Sequence, residues 1–253
     1  MRTNLKRLIA LALCLGLLAF GLLYSSPDQA QPGSFMYFGI YRSDSLSKPL
    51  HHTWLQRSIL DTEHPGQYVA LTFDDGPNPI YTPQVLAILR QYHIHATFCI
   101  VGEMAKAYPQ LVKEIVADGH RICDHSMTHD EYLPMRSDAR IRSEIIGTRD
   151  LLNQIVPGTP IYYFRPPGGD INNHEIDLVE SWGMKALYWS VDTRDWARKG
   201  VNAFMIQVHT ELSPGGVILM HDGGGDRSQT VQALKILIPE LITKGYQFDF
   251  PRH

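Results

Sequence analysis

From Tyr68 onward, short apolar runs alternate with helix-like segments, and no other feature of the 253-residue chain restricts its fold as much. Strand-like runs fall at 68–73, 96–101, 121–124, 162–164, 185–191, 217–220 and 247–250, with helical patterns between most of them at 83–92, 103–118, 137–156, 172–182, 203–211 and 229–244. Gly119, Gly183 and Gly245 stand where three of these helices should stop, as residues that tolerate positive φ. Strands alternating with helices imply βα units and a parallel sheet. About seven units in so short a stretch point to an α/β fold closed, or nearly closed, into a compact barrel.

The N-terminal part reads differently. Arg2, Lys6 and Arg7 precede an uninterrupted apolar run from Leu8 to Leu23, the pattern of a secretory signal or an uncleaved membrane anchor. Residues 1–30 are therefore expected to be that signal or anchor. The weakly periodic 31–66 is expected to be a stalk or linker, and 67–253 the folded domain. Basic residues on the inner side place the remainder outside the cytoplasm, in a periplasmic or extracellular setting. With 26 acidic and 23 basic residues and no basic stripe, nothing suggests nucleic-acid binding, and a monomer is expected. Cys99 and Cys123 both fall in apolar runs. They read as small core hydrophobes or, in an exported protein, as a bridge.

In a barrel of βα units the working face lies at the carboxyl ends of the strands. Polar clusters recur there: Asp74-Asp75 after the first strand, Asp124-His125 after the third, Arg165-Pro166-Pro167-Gly168-Gly169 after the fourth, Asp192 to Trp196 after the fifth and His221-Asp222 after the sixth. Adjacent residues on a strand point opposite ways, so one of Asp74 and Asp75 can ligate a metal while the other handles a proton. His125 and His129, spaced i, i+4, would lie on one helix face or on one side of a tight loop; with one carboxylate they make a facial His-His-Asp set. Arg165 is a fixed cation suited to holding a neighbouring carboxylate ionised. The glycines after it let backbone N–H groups approach a ligand closely, as an oxyanion hole requires. His221 is a second proton handler, with Asp195 available to orient it. Together these features describe a metal-assisted hydrolase. A glycosidase would need its two carboxylates several ångströms apart across the scissile bond, which adjacent acids beside a histidine pair fit poorly. A non-catalytic carbohydrate-binding domain would have no use for the full set of acid, base and ligands.

Taken in order, Thr72-Phe73-Asp74-Asp75-Gly76-Pro77, His125-x-x-x-His129, Arg165-Pro166-Pro167-Gly168, Asp192-Thr193-Arg194-Asp195-Trp196 and Leu219-Met220-His221 resemble the five motifs of the polysaccharide deacetylases of carbohydrate esterase family 4, the NodB-homology domain. The resemblance runs from about Gln67 to Phe250. It implies a distorted (β/α) barrel that removes acetyl groups from N-acetylated, or else O-acetylated, sugars of a cell-envelope or exported polysaccharide such as peptidoglycan. Deacetylation or deformylation of a lipid-linked sugar at the membrane is the alternative. The resemblance makes Asp74 the general base, and Asp75, His125 and His129 the ligands of one divalent metal: zinc, or else cobalt, nickel or manganese. Arg165 would tune the base, the Gly168 amide would face the oxyanion, Asp195 would support His221 as general acid, and Trp189 and Leu219 would wall the acetyl pocket. The partners implied are an acetylated glycan and, through 8–23, the membrane. This chain departs from the family at Gly168, where many relatives carry Tyr, and at Cys123 and Asp124, where Gly and Asn are common. The first departure should remove a wall of the groove, and the last should add negative charge near the metal.

Overall fold

The computed structural model of the chain describes residues 53–253. The expected signal or anchor of residues 1–30 lies outside the described residues, as does the expected stalk up to residue 52. Eight strands form one sheet: β1 (Tyr68–Gly76), β2 (Thr97–Ile100), β3 (Arg121–Asp124), β4 (Ile161–Phe164), β5 (Lys185–Ala186), β6 (Val191–Asp192), β7 (Gly216–His221) and β8 (Gln247–Asp249). Their order is β5-β4-β3-β2-β1-β7-β6, with β8 beside the start of β1. Every ladder is parallel, and helices connect most of the strands. This is the distorted (β/α) barrel expected from the sequence.

Two elements depart from the sequence reading. The helix expected over 103–118 is broken into Gly102–Ala107 and Pro109–Ala117, because Pro109 has no N–H to donate and its ring clashes with the preceding turn, so it opens a new helix instead. The strand expected over 185–191 becomes two strands of two residues each. This segment closes the barrel by changing partners. Leu187 N–H donates to the Phe164 carbonyl (2.8 Å) and Ser190 N–H to that of Val217 (3.0 Å), so the chain leaves β4 and joins β7 and cannot keep a regular ladder with either. Ile59 wedges into the gap: its N–H donates to Ala186 O (2.9 Å) and its carbonyl accepts from Tyr188 N–H (2.8 Å). The described part of the expected stalk is therefore packed on the barrel, with a helix at Thr53–Arg57 and bridges from Asp61 to Gly216 and Thr62 to Pro251.

Strand alternation sorts side chains into two layers. On β1, Val69, Leu71 and Phe73 join the main core beneath the helices. Ala70 faces inward with Ile59, Cys99, Cys123, Tyr163, Leu187 and Val217. These lining residues are mostly small, as a narrow barrel demands, and Cys99 and Cys123 are register neighbours there. Both cysteines are buried and free. At the amino end of the strands, Arg121 donates to Glu63 Oε1 (2.6 Å) and to the Tyr163 hydroxyl (2.9 Å). That end is thus sealed with polar bonds, while the carboxyl end carries the chemistry. Among the described residues no helix is long and apolar enough to cross a membrane.

The position of Ile59 gives a test of barrel closure. Ile59→Ala should lower the unfolding free energy by about 2–5 kcal/mol, the usual cost of truncating a buried Ile, as measured by denaturant titration. A change below about 0.5 kcal/mol would show that the buried Ile59 side chain contributes nothing to the barrel.

Candidate active site and metal centre

The site is built on the end of β1. Asp74 points into the barrel, where its Oδ1 accepts a hydrogen bond from Arg165 Nη1 at 2.7 Å. The same Nη1 donates to Thr72 Oγ1 (2.9 Å), Nη2 to the Tyr188 carbonyl (3.1 Å) and Nε to that of Leu187 (3.4 Å). Arg165 is wholly buried, so these acceptors stand in for water at four of its five N–H groups. The next residue turns away: Asp75 has φ 70°, and the register of β1 against β2 shifts between Asp74 and Gly76. Strand alternation is broken at this point, and the two carboxylates, approaching by different backbone conformations, both come close to His125 Nε2. Gly76 is fixed by packing. A Cβ there would meet the Asp222 carboxylate at 2.4 Å, and that buried acid hydrogen-bonds Thr82.

Of the two arrangements open to the histidine pair, the loop is the one adopted. His125 follows β3, and its Nδ1–H donates to the Arg165 carbonyl at 2.7 Å, since a carbonyl can only accept. That bond fixes the tautomer and leaves the Nε2 lone pair free, as metal-binding imidazoles require. Nε2 stands 3.5 Å from Asp75 Oδ1 and 3.7 Å from Asp74 Oδ2, and His129 Nε2 lies 3.2 Å from Asp75 Oδ1. Positive φ at Ser126 and His129 folds the loop tightly enough to bring the rings together. The strained turn is braced: His129 N–H donates to Ser126 Oγ (3.0 Å) and Ser126 N–H to Asp124 Oδ1 (2.9 Å). The N–H and hydroxyl of Thr128 both donate to the buried Glu144 (2.8 and 2.9 Å).

Asp75, His125 and His129 therefore offer one carboxylate oxygen and two ring nitrogens within 4.8 Å of one another. Asp75 Oδ1, although buried, has no hydrogen-bond partner. An unsatisfied buried carboxylate oxygen facing two imidazole lone pairs is the donor set that a divalent transition metal takes. The electrostatics agree. Burial opposes the charge on Asp75, but His125 and His129 beside it outweigh burial and hold its carboxyl well below the usual range. Burial likewise opposes protonation of His129, yet Asp75 and Glu131 raise its pKa. The pocket draws positive charge.

Asp124, at the end of β3, accepts the Ser126 N–H at Oδ1, and complete burial pushes its carboxyl well above the ordinary range.

On the opposite wall, β7 sets His221 beside Asp74 as its register partner. His221 Nδ1–H donates to Asp195 Oδ1 at 2.7 Å and its backbone N–H to Asp195 Oδ2 at 2.8 Å, while the Thr230 hydroxyl donates to the same Oδ2 at 2.7 Å. Burial disfavours the imidazolium, but the Asp195 carboxylate more than offsets it and the pKa rises to about 9. Leu219 is buried two residues before His221, and Trp189 is half-buried with the Arg165 guanidinium 5.7 Å from its ring centroid. Gly168 is exposed at φ 63°. A Cβ added there would lie 3.3 Å from Glu131 Cγ, so the Glu131 side chain lies beside this turn.

The residues that sequence reasoning overlooked are the braces: Thr72, Glu144, Thr230 and Arg227. Arg227 donates to the Gly223 and Gly224 carbonyls and sets its guanidinium 3.9 Å from Asp75 Oδ2. A Cβ on Gly224 would collide with that same oxygen, at 2.1 Å.

A family profile described as polysaccharide deacetylase matches residues 61–187, and the chain belongs to that family. Among its relatives, a peptidoglycan-N-acetylglucosamine deacetylase of Bacillus cereus is 42% identical over 182 residues, covering 71% of this chain and 84% of the relative. A chitooligosaccharide deacetylase of Sinorhizobium fredii is 36% identical over 188 residues, covering 70% and 87%. A crystal structure of a peptidoglycan N-acetylglucosamine deacetylase in complex with an N-oxidanyl-benzamide compound superposes with a TM-score of 0.74 at 34% identity, covering 78% of this chain and 93% of that one.

The Asp195–His221 pair makes a direct prediction. In metal-free protein the His221 imidazole should titrate at about 9. Asp195→Asn, which keeps an acceptor but removes the charge, should bring it to roughly 6.5 or below. An NMR titration of the ring protons reads this, and an unchanged midpoint would show that Asp195 does not set the proton affinity.

Proposed function

We propose that the chain hydrolyses the acetamide of N-acetylglucosamine residues in a cell-envelope or exported glycan of the peptidoglycan or chitin type, with Asp75, His125 and His129 holding a divalent cation, zinc. The single observation that carries this reading is the convergence of those three ligands with Asp74 on one side and the Asp195–His221 pair on the other. The names of the relatives support the substrate class, and the mixed nitrogen and oxygen donors support zinc. A cation bound there would polarise the acetamide carbonyl and make an attacking water more acidic.

The chain's own groups divide the remaining work. Arg165 occupies Asp74 Oδ1 and leaves Oδ2, which faces His125, to take the proton of the attacking water. The positive-φ turn at Gly168 presents its backbone N–H to the carbonyl oxygen as charge develops there. His221 has Nδ1 committed to Asp195. Its Nε2–H is therefore the proton delivered to the departing sugar nitrogen, and the raised pKa keeps that proton in place at neutral pH. Trp189 and Leu219 enclose the acetyl methyl. The reading includes export, supported by the basic residues and apolar run at the N-terminus.

The test strips metal from the purified protein, restores zinc, and measures acetate released from peptidoglycan and chitin oligomers. Release should vanish and return with the ion. Asp74→Asn should retain the ion and lose roughly 10²–10⁴-fold in kcat, whereas His125→Ala should lose both. Near-normal turnover by Asp74→Asn would remove Asp74 from the base role, and undiminished acetate release without metal would overturn the reading. With His221 as the acid, kcat should fall as pH rises through its pKa, and Asp195→Asn should move that alkaline limb to lower pH.

A further inference from the structure

We infer that Glu131 is a specificity-determining residue that selects an uncharged reacting sugar and rejects one carrying a carboxylate next to the acetamide. The inference rests on the deacetylase reading above and narrows its substrate. Glu131 lies two residues beyond the ligand His129. Its side chain passes over the Gly168 turn: a Cβ built on Gly168 would stand 3.3, 3.5 and 3.6 Å from its Cγ, carboxyl carbon and Cβ. The carboxyl group therefore sits at the lip of the amide that faces the scissile carbonyl.

Its bonding sets it apart from the other acids of this face. Asp130 is clamped by Arg136 at 2.7 and 3.1 Å and Glu144 by Thr128 and Arg140. Asp195 is held by His221 and Thr230. Glu131 is exposed and, beyond its electrostatic pull on His129, makes no hydrogen bond or ion pair among the described residues. A carboxylate only accepts hydrogen bonds, so its partners in a bound glycan are hydroxyl or amine donors. A carboxylate brought to the same place meets like charge. In a 2-acetamido sugar the carbon next to the acetamide bears either a free 3-hydroxyl, which is a donor, or, in a muramic-type sugar, an ether-linked lactyl carboxylate. The first satisfies Glu131 and the second is repelled by it. Two unit charges about 4–6 Å apart at a wet protein surface change an equilibrium by roughly ten- to a hundredfold.

The experiment uses zinc-loaded protein and two neutral-backbone probes, N-acetylglucosamine tetramer and a glycan strand alternating N-acetylglucosamine with N-acetylmuramic acid whose lactyl carboxylates are free. Acetate release is assigned to individual sugars by mass spectrometry, and binding is measured separately by calorimetry. The wild-type protein should deacetylate the muramic residues at least roughly tenfold more slowly than the glucosamine residues, and the gap should narrow in high salt. Converting the lactyl carboxylates to neutral amides should also narrow it, which separates charge from bulk. Glu131→Gln, equal in size, should reduce the gap about tenfold and abolish its salt dependence, and Glu131→Lys should reduce it further. Both variants should keep the wild-type zinc content. A ratio unchanged within about twofold in both variants would overturn the inference. No acetate from any glycan would instead overturn the deacetylase reading, and the calorimetric affinity ratio of the two probes, wild type against Glu131→Gln, would still decide the role of Glu131.

Discussion

A single guanidinium, buried in a barrel too narrow to hold water around it, organises this molecule. Arg165 exposes none of its surface. A cation in that position is tolerable only if its charge is opposed and its donors find acceptors. Asp74 opposes the charge, and Thr72 with the Leu187 and Tyr188 carbonyls accept from three more of the five N–H groups. These partners lie on β1 and on the segment that closes the barrel, while the Arg165 backbone extends β4 and its carbonyl orients His125. One side chain thus ties the closure of the barrel to the position of a carboxylate and, through its own backbone, to the tautomer of a ligand. Lysine could not replace it, since a single ammonium lacks the planar fork that reaches three directions at once. Removing either partner would strand a buried charge, so the fold and the site fail together.

Around that pair the chain gathers far more carboxyl groups than positive charge, and the structure settles each one differently. Asp75 is ionised against two imidazoles, and Asp195 is held below the ordinary range because His221 and Thr230, together with the His221 backbone N–H, outweigh the cost of burying it. Asp124 and Asp222 are completely buried, and burial raises both, Asp222 to about 7. The backbone is strained in the same place, with positive φ at Asp75, Ser126 and His129. Such strain persists only where surrounding bonds over-determine it, and the bonds from Glu144, Ser126 and Asp124 do so here.

Sequence made the chemistry legible because each functional group ends a strand, and strand ends announce themselves as an apolar run followed by polar residues. Asp74, His125, Arg165 and His221 all stand at such ends, and the structure brings them to one side of the barrel. The braces carry no such signal. Thr230 supports Asp195 from 35 residues away, and Glu144 reaches Thr128 across 16; neither stands at an informative spacing from its partner. Ile59 was assigned to a stalk because the pattern around it is aperiodic, but a lone bridge needs no period. The run from 185 to 191 has the composition of one strand, and only the geometry of closure divides it between two partners.

The separation between braced and unbraced groups has a consequence for how such a site can vary. Replacing Arg165, Asp195 or Glu144 breaks several bonds at once, and each loss leaves a buried polar group unpaired, at about 1–3 kcal/mol for a neutral group and more for a charge. Replacing Glu131, which is exposed, leaves no buried group stranded. The lip of the site is therefore free to change its charge without cost to the barrel, whereas Asp74, Asp75, His125 and the Asp195–His221 pair are locked into the structure that carries them. Selectivity for the sugar and the ability to cleave the amide rest on different parts of the molecule, joined only where Glu131 crosses the Gly168 turn.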